Sequence, residues 1–447
     1  MKKKYLIRCG MLPQDTYSDS EFLNRDRFGS NIGNLVYQYS VIRTLMTEDT
    51  EIVSDEFAIN PNSSDLINKN YDAYIIPLAN AFRTSFIPQL KRYTELIKKL
   101  EIPVVVVGIG LQAPYGYDVK KGFNFDKEVK EFVKAVLEKS SIIGLRGQIT
   151  ADYLEYLGFI PEKDFTVIGC PSMYTFGRDL KLRKPKIDKE ANISINAANI
   201  VSEDAMLLLT NIATKYKNYY FIPQSYNEFT LNYFGMGEIP NVVPNFPANI
   251  ASKFYKEGRV RFFLNAPTWF NYMKDITISV GTRLHGNIVA TINGTPSITL
   301  IMDSRTQELA DYHGLPSLTM DQVSNNFDLT NLAQMVDFSL VESLQGRRFD
   351  HFIEFLDKND LAHIYKKNKN RKDAPLDELI INKTFDPSVK TITDISDKEK
   401  LQRFTRGYEI FIKRTQRLAN NEKSKKLKSE NNFLRNKLNN INKISTI

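Results

Sequence analysis

Cysteine and histidine are scarce in this chain, at 2 and 4 of 447 residues. Cys9 and Cys170 stand far apart, no C-x-x-C occurs, and too few histidines accompany them to build a structural zinc site, so no metal is expected. The same scarcity fits a reducing, cytoplasmic setting. Long apolar runs are missing as well: the longest, around Ile102–Ile109, is far short of the roughly 18 residues a membrane span needs. The amino terminus, MKKKYLIRCGMLP, begins with lysines, but Arg8 interrupts its apolar stretch and no small-residue cleavage site follows. A secretory signal is therefore not expected.

The formal charge of +8 suggests a polyanion partner until its location is considered. Residues 398–447 hold fourteen basic and four acidic side chains, which leaves the preceding body near −2. The body is thus no basic nucleic-acid binder, and no nucleic-acid partner is expected for it. Any attraction to polyanions or anionic lipid belongs to the tail, where contact at the membrane's inner face or with a second copy of the chain is the expectation.

Hydrophobic patterning defines the organisation. Strand candidates Tyr5–Cys9, Ala73–Ile76, Pro103–Ile109, Ile142–Leu145 and Phe165–Ile168 alternate with amphipathic helices, in one of which Val129, Phe132, Val133, Val136 and Leu137 follow helical spacing. The charged run KLRKPKIDKE at 181–190 reads as a linker. A second series follows: Ile193–Asn196, Tyr219–Pro223, Arg259–Leu264, Ile276–Val280 and Ser297–Ile301, with helices such as Asp204–Tyr216 and Ile250–Glu257 between them. The fold class expected is α/β, with two doubly wound Rossmann-like domains in a GT-B-like arrangement and a ligand cleft between them. The domains would span 1–180 and 191–345, and 346–447 would be a helical extension with a basic tail. In that extension come an aromatic helix with Phe349, Phe352 and Phe355, a solvated run at 366–372 and a loop with Pro375 and Pro387. A last helix starts near Asp397 and repeats Leu427, Leu434 and Ile441 every seven residues, with Leu438 between and Asn431 at a core position, which fits a short docking helix or a frayed tail.

The segment ITISVGTRLHGNIVATINGTP at 276–296 concentrates the chemistry. It reads as a buried strand, a turn around Gly281, Thr282 and Arg283, and a helix beginning near His285, placed where open α/β sheets bind ligands. A new helix offers backbone N–H groups, Arg283 a cation and His285 a proton, so an anionic ligand is the expected guest. The plainer alternative pairs Arg283 with an acidic neighbour and leaves His285 as a helix-end residue.

Extended to VGTRLHGNIVATINGTPSITLIMDSRTQELADYHGLP, this segment resembles the polysaccharide pyruvyl transferase family, whose hallmark is an Arg-Leu-His loop, a small-residue helix and a Gly-x-Pro turn. Gly108-Ile109-Gly110 after the valine run and Leu145-Arg146 before a helix resemble further landmarks of that family, over roughly residues 30 to 345. The resemblance implies a donor, phosphoenolpyruvate, with a phosphate and a carboxylate to be held, and a sugar or polysaccharide precursor as acceptor. It implies catalytic roles for His285 as general acid and Arg283 as anion host, and cleft-facing positions for Arg146, Gly108 and Gly110. No cofactor is called for. Gln224 and Ser225, where a strand ends on polar residues, resemble the family's substrate-facing loops, with buried loop closure as the nearly equal alternative. Asn31 and Gly33 precede an apolar helix and would let a substrate approach backbone N–H groups; here Asn34 stands where the family has an aspartate. Asp303 and Arg305 either face the cleft or serve as a helix cap and a surface arginine. His313 reads as a helix C-terminal residue before Gly314, and His351 and His363 receive no role.

Two other functions remain open on this reading: a sugar-nucleotide glycosyltransferase of envelope polysaccharide synthesis, and a non-enzymatic scaffold acting through the basic tail.

Overall fold

A computed structural model describes the backbone of residues 2–237, 239–324 and 327–444, and side chains up to Ser424 and at Leu427 apart from those gaps. Two compact units are present, the larger comprising residues 1–16 and 27–394.

Six short parallel strands open this larger unit: β1 (Lys3–Ile7), β2 (Thr50–Ser54), β3 (Ala73–Pro77), β4 (Val104–Val107), β5 (Ile143–Leu145) and β6 (Phe165–Val167). They run in the order β2-β1-β3-β4, continued through a bridge between Ile109 and Leu145 to the β5-β6 pair. The second half contains β7 (Asn192–Asn196), β8 (Asn218–Phe221), β9 (Arg261–Phe262), β10 (Ile278–Gly281), β11 (Ser297–Ile301) and β12 (Ser317–Thr319). Its order is β12-β11-β10-β7-β8, and a parallel bridge from Phe221 to Val260 brings the β9 segment beside β8. Counted from β7, that order is 3-2-1-4-5-6, the arrangement of dinucleotide-binding sheets, while the first half has the 2-1-3-4 start of flavodoxin-like sheets. Both halves are therefore doubly wound and Rossmann-like. The valines of β4 are fully buried, as are Ile278 and Val280 of β10, because strands covered on both faces need apolar residues throughout.

Strands β2 and β12 do not stand out in the sequence. Only two of the five residues of β2 are buried and β12 has three residues, too few for a period to register. Helix Asp126–Leu137 buries four of the five positions its spacing marks, Val129, Phe132, Val133 and Val136, and leaves Leu137 half-buried at its end. Helix Gly33–Leu45 differs in kind: all but Asn34 are buried, so it is a central element rather than a surface one.

After residue 338 the chain returns to the first half. Helix Ser339–Lys358 stacks Phe352 on Tyr174 at 5.0 Å, Asn359 accepts the N–H of Ser141 at 3.1 Å, and Ala362 N–H donates to Tyr5 Oη at 3.0 Å. The loop expected around Pro375 is instead helix Pro375–Ile381, with Pro375 in its first turn, where a missing N–H costs nothing. Its Asp377 receives both Nε and Nη2 of the buried Arg43. The chain then adds β13 (Val389–Lys390), antiparallel to β9. The 181–190 run is docked rather than loose: Arg183 donates its backbone N–H to Gly294 O at 2.8 Å and Nη2 to Ile276 O at 2.9 Å.

The smaller unit comprises residues 17–26 and 395–447. Helix Asp19–Asn24 starts on a Ser18–Glu21 capping box, and Arg417 of the 48-residue helix Asp397–Ile444 donates to Asn24 O at 3.0 Å. Leu427 is 52% exposed, and the remaining heptad side chains, Asn431, Leu434, Leu438 and Ile441, lie outside the described residues. No helix among the described residues is long and apolar enough to cross a membrane.

Candidate functional site

In each half the residues of interest follow the carboxyl ends of parallel strands, and contacts such as Ala113 N–H to Ser304 Oγ at 3.0 Å bring these segments of the two halves together. Arg146 follows β5, Gly108 and Gly110 follow β4, the Arg283–His285 loop follows β10, and Asp303 and Arg305 follow β11. Asn196, at the end of neighbouring β7, organises the β10 loop from the switch point of the second sheet: its Oδ1 accepts the N–H of Arg283 at 2.8 Å.

Arg283 is committed to the protein. Its Nε donates to Ala197 O at 2.6 Å and its Nη2 to Glu228 Oε2 at 2.7 Å, and the two charged side chains are 9% and 1% exposed. Both the acidic neighbour and the burial make this arginine a structural brace of the loop that carries His285. Replacing Arg283 by Ala would strand the Glu228 carboxylate without its partner, and the expected loss of stability is about 3–5 kcal/mol. Chemical denaturation measures it; an unchanged midpoint would remove the brace role.

Arg146 is the opposite case. It is 2% exposed, has no carboxylate within ion-pair distance among the described residues, and its Nε has no partner. Its guanidinium lies 5.0 Å from the Tyr37 ring centroid, with Nη2 3.8 Å from Cys170 Sγ. A buried cation left this bare is costly unless an anion completes it. Across the same thiol, 3.7 Å from Sγ, is Nε2 of His285. Burial first, and then the charges of Arg146 and Arg305, hold His285 well below its ordinary pKa, so the imidazole is neutral at pH 7. Gly33 makes this packing possible: a Cβ there would stand 2.8 Å from the His285 ring.

A cavity of about 610 Å³ is walled by Arg83, Gln112 and Phe125 of the first half and by Thr282, Asp303 and Arg305 of the second; Arg146, Cys170 and His285 are not in its lining, and it is the charge of Arg305 that reaches His285. The Nε atoms of Arg83 and Arg305 are buried without partners, and burial together with Arg305 and Arg8 lowers the Arg83 pKa. Like charges gathered with too few counter-charges describe a site for an anion. Asp303 both caps helix Ser304–His313, accepting Thr306 N–H at 2.9 Å, and pairs with Arg305 at 3.2 Å.

The other sequence candidates form the join between the halves. Asn31 bridges to Ser225 and its Oδ1 accepts Gly33 N–H at 2.8 Å; Ile32 N–H donates to Gln224 O at 2.9 Å. Ser225 caps helix Tyr226–Phe234 in a capping box with Glu228, while Gln224 Nε2 is buried without a partner. Thr282 Oγ1 accepts Ala198 N–H at 3.0 Å, and Gly281 O accepts from Asn287 Nδ2 at 3.0 Å. Gly110 backs onto Arg146, where a Cβ would lie 3.1 Å from Cδ, and Gly108 N–H donates to Gly144 O at 2.9 Å. His313 ends its helix before Gly314 as expected; burial lowers its pKa to about 3, and its Nε2 accepts Cys170 N–H at 2.8 Å. Sequence reasoning passed over Arg83, Cys170 and Glu308. Arg83 and Cys170 belong to no recognisable motif, and Glu308, although inside the 280–316 segment, carries no local sign that sets it apart from the other polar residues of its helix.

Among solved structures, similar chains include the UDP-GlcNAc 2-epimerase of Methanocaldococcus jannaschii, 12% identical over 80% of this chain and 99% of that one, with a TM-score of 0.42. The UDP-GlcNAc 2-epimerase of Neisseria meningitidis is 11% identical over 80% and 100%, with a TM-score of 0.42. The glycosyltransferase SnogD of Streptomyces nogalater is 10% identical over 79% and 96%, with a TM-score of 0.32. No curated protein matches the chain. A family model described as polysaccharide pyruvyl transferase matches residues 19–304, which takes in Arg146, the Arg283–His285 loop and Asp303. With well over half its length matched, the chain belongs to the polysaccharide pyruvyl transferase family.

Proposed function

We propose that the protein transfers the pyruvyl group of phosphoenolpyruvate to two hydroxyls of a sugar in a cell-surface polysaccharide or its precursor, forming a pyruvate ketal. The observation that carries this reading is Arg146, a buried guanidinium with an orphaned Nε beside His285. A donor with a phosphate at one end and a carboxylate at the other suits a cleft in which Arg146 and Arg83 have no ion-pair partner among the described residues and Arg305 has Asp303 at 3.2 Å. The helix Leu284–Ile292 adds the partial positive charge of its first turn.

In the proposed reaction His285 delivers a proton to C3 of the enol, C2 becomes oxocarbenium-like, and the first sugar hydroxyl bonds to C2 while its proton passes to His285. The C2–O bond to phosphate then breaks, and the second hydroxyl closes the ring, its proton leaving with the phosphate. Two C–O bonds form, one breaks, and one C–H bond is made. His285 must be protonated to begin, whereas burial and the charges of Arg146 and Arg305 keep it neutral. The donor's negative charges offset Arg146 and Arg305 and raise the imidazole pKa, so the acid is generated only with donor in place.

The test is incubation with phosphoenolpyruvate and candidate sugars. Inorganic phosphate should appear only when an acceptor is present, together with a product heavier than the acceptor by the pyruvyl increment. Consumption of a nucleotide sugar, with phosphoenolpyruvate untouched, would replace this reading by the glycosyltransferase one.

A further inference from the structure

Glu308 is a buried carboxylate that the scheme above leaves unused. It belongs to helix Ser304–His313 of the second half and is 2% exposed, yet its hydrogen-bond partners lie in the first half. Thr150 donates its N–H at 3.0 Å and its hydroxyl at 2.9 Å, and Thr150 Oγ1 accepts the N–H of Leu111 at 2.9 Å. Helix Gln148–Tyr156 receives no side-chain cap from its own N-cap residue, Gly147, so Glu308 satisfies that end from across the join. Gly147 leaves the space, since a Cβ there would stand 2.6 Å from Glu308 Cβ. Directly before Gly147 is Arg146, whose N–H donates to Ile109 O at 2.9 Å. One carboxylate therefore fastens the segments on both sides of the bare guanidinium.

We infer that Glu308 is a positioning residue that locks the Arg146 segment against the second half and makes anionic-donor affinity depend on its own protonation. This rests on the proposed phosphoenolpyruvate site. Burial raises the Glu308 pKa to about 7, against the Thr150 bonds and the charge of Arg146, with Asp303 pushing the same way as burial. The charged groups that face it are thus Arg146 from the end of β5 and Asp303 from the start of its own helix; Arg305 and His285 hold the adjoining cleft. Ionised Glu308 competes with an anion for the field of Arg146. Donor binding should therefore favour the protonated form and take up a proton, and affinity should fall as pH rises through about 7.

Calorimetric titration of the full chain with phosphoenolpyruvate from pH 6 to 8.5 tests this. For wild type the dissociation constant should rise by up to about tenfold per pH unit above 7. Glu308→Gln cannot ionise; it should lack this step and bind about tenfold tighter than wild type at pH 8, with the donor's own titration and the proton taken up by His285 common to both. Glu308→Ala should bind weakly at every pH. Thr150→Val keeps the backbone N–H but removes a bond that favours the ionised carboxylate, so the midpoint should move upward in pH, a readout available even where the alanine variant does not fold. A Glu308→Gln profile that overlays wild type, or an unmoved midpoint in Thr150→Val, overturns the inference while leaving the donor reading intact. Wild type that binds no phosphoenolpyruvate at any pH overturns both.

Discussion

Replacing His285 by Gln is expected to lower turnover by about 10²–10⁴-fold while phosphoenolpyruvate still binds, because glutamine preserves a polar contact but cannot deliver a proton to carbon. The cleft chemistry makes this sharper than for an ordinary histidine. His285 is held neutral by burial and by Arg146 and Arg305, so in the proposed reaction it would gain its proton only with the donor's charge in place. The rate at saturating donor should fall as pH rises through the pKa that His285 acquires in the complex. That limb should be missing from the glutamine variant. Steady-state kinetics with direct donor titration separates the effects, and equal loss of binding and turnover would take the acid role away from His285.

Arg146→Ala is expected to reduce kcat/KM for phosphoenolpyruvate by about 10³-fold, the equivalent of about 4 kcal/mol for a buried charged contact. Its effect on folding should be the reverse of that for Arg283→Ala. Arg283 compensates the Glu228 carboxylate at 2.7 Å, whereas Arg146 has an orphaned Nε, a thiol and an aromatic face beside it and Glu308 acting only from beyond ion-pair distance. Removing it relieves a buried charge that has no direct ion-pair partner, so the denaturation midpoint should hold or rise. Arg146→Lys should not rescue donor binding, since the ammonium lacks the planar fork that engages phosphate or carboxylate in two bonds. A fall in stability with donor affinity preserved would place Arg146 among the structural arginines.

This division between two arginines shows where sequence reading reaches and where it stops. Arg283 lies in the most distinctive motif, which marks it as an anion host; the structure gives its Nε and Nη2 to Ala197 and Glu228 instead. Glu228 comes from a helix fifty-five residues earlier, and no local pattern announces such a pair. Arg146, in a far weaker motif, is the cation left open. Glu308 likewise looks like one more polar residue of an amphipathic helix until the other half's Thr150 is placed against it.

The sequence by itself determined the alternation of strands and helices, the position of the Arg-Leu-His loop at a strand's carboxyl end, and the basic tail set apart from a near-neutral body. These follow from hydrophobic period, turn chemistry and composition, all local in the chain. Only the tertiary structure decided which cations are compensated, that burial and two arginines hold His285 neutral, and that the chain after residue 338 returns to the first half. Those outcomes depend on which distant charges and packing surfaces share a small volume of low dielectric, where a few ångströms decide whether a charge is paired or bare.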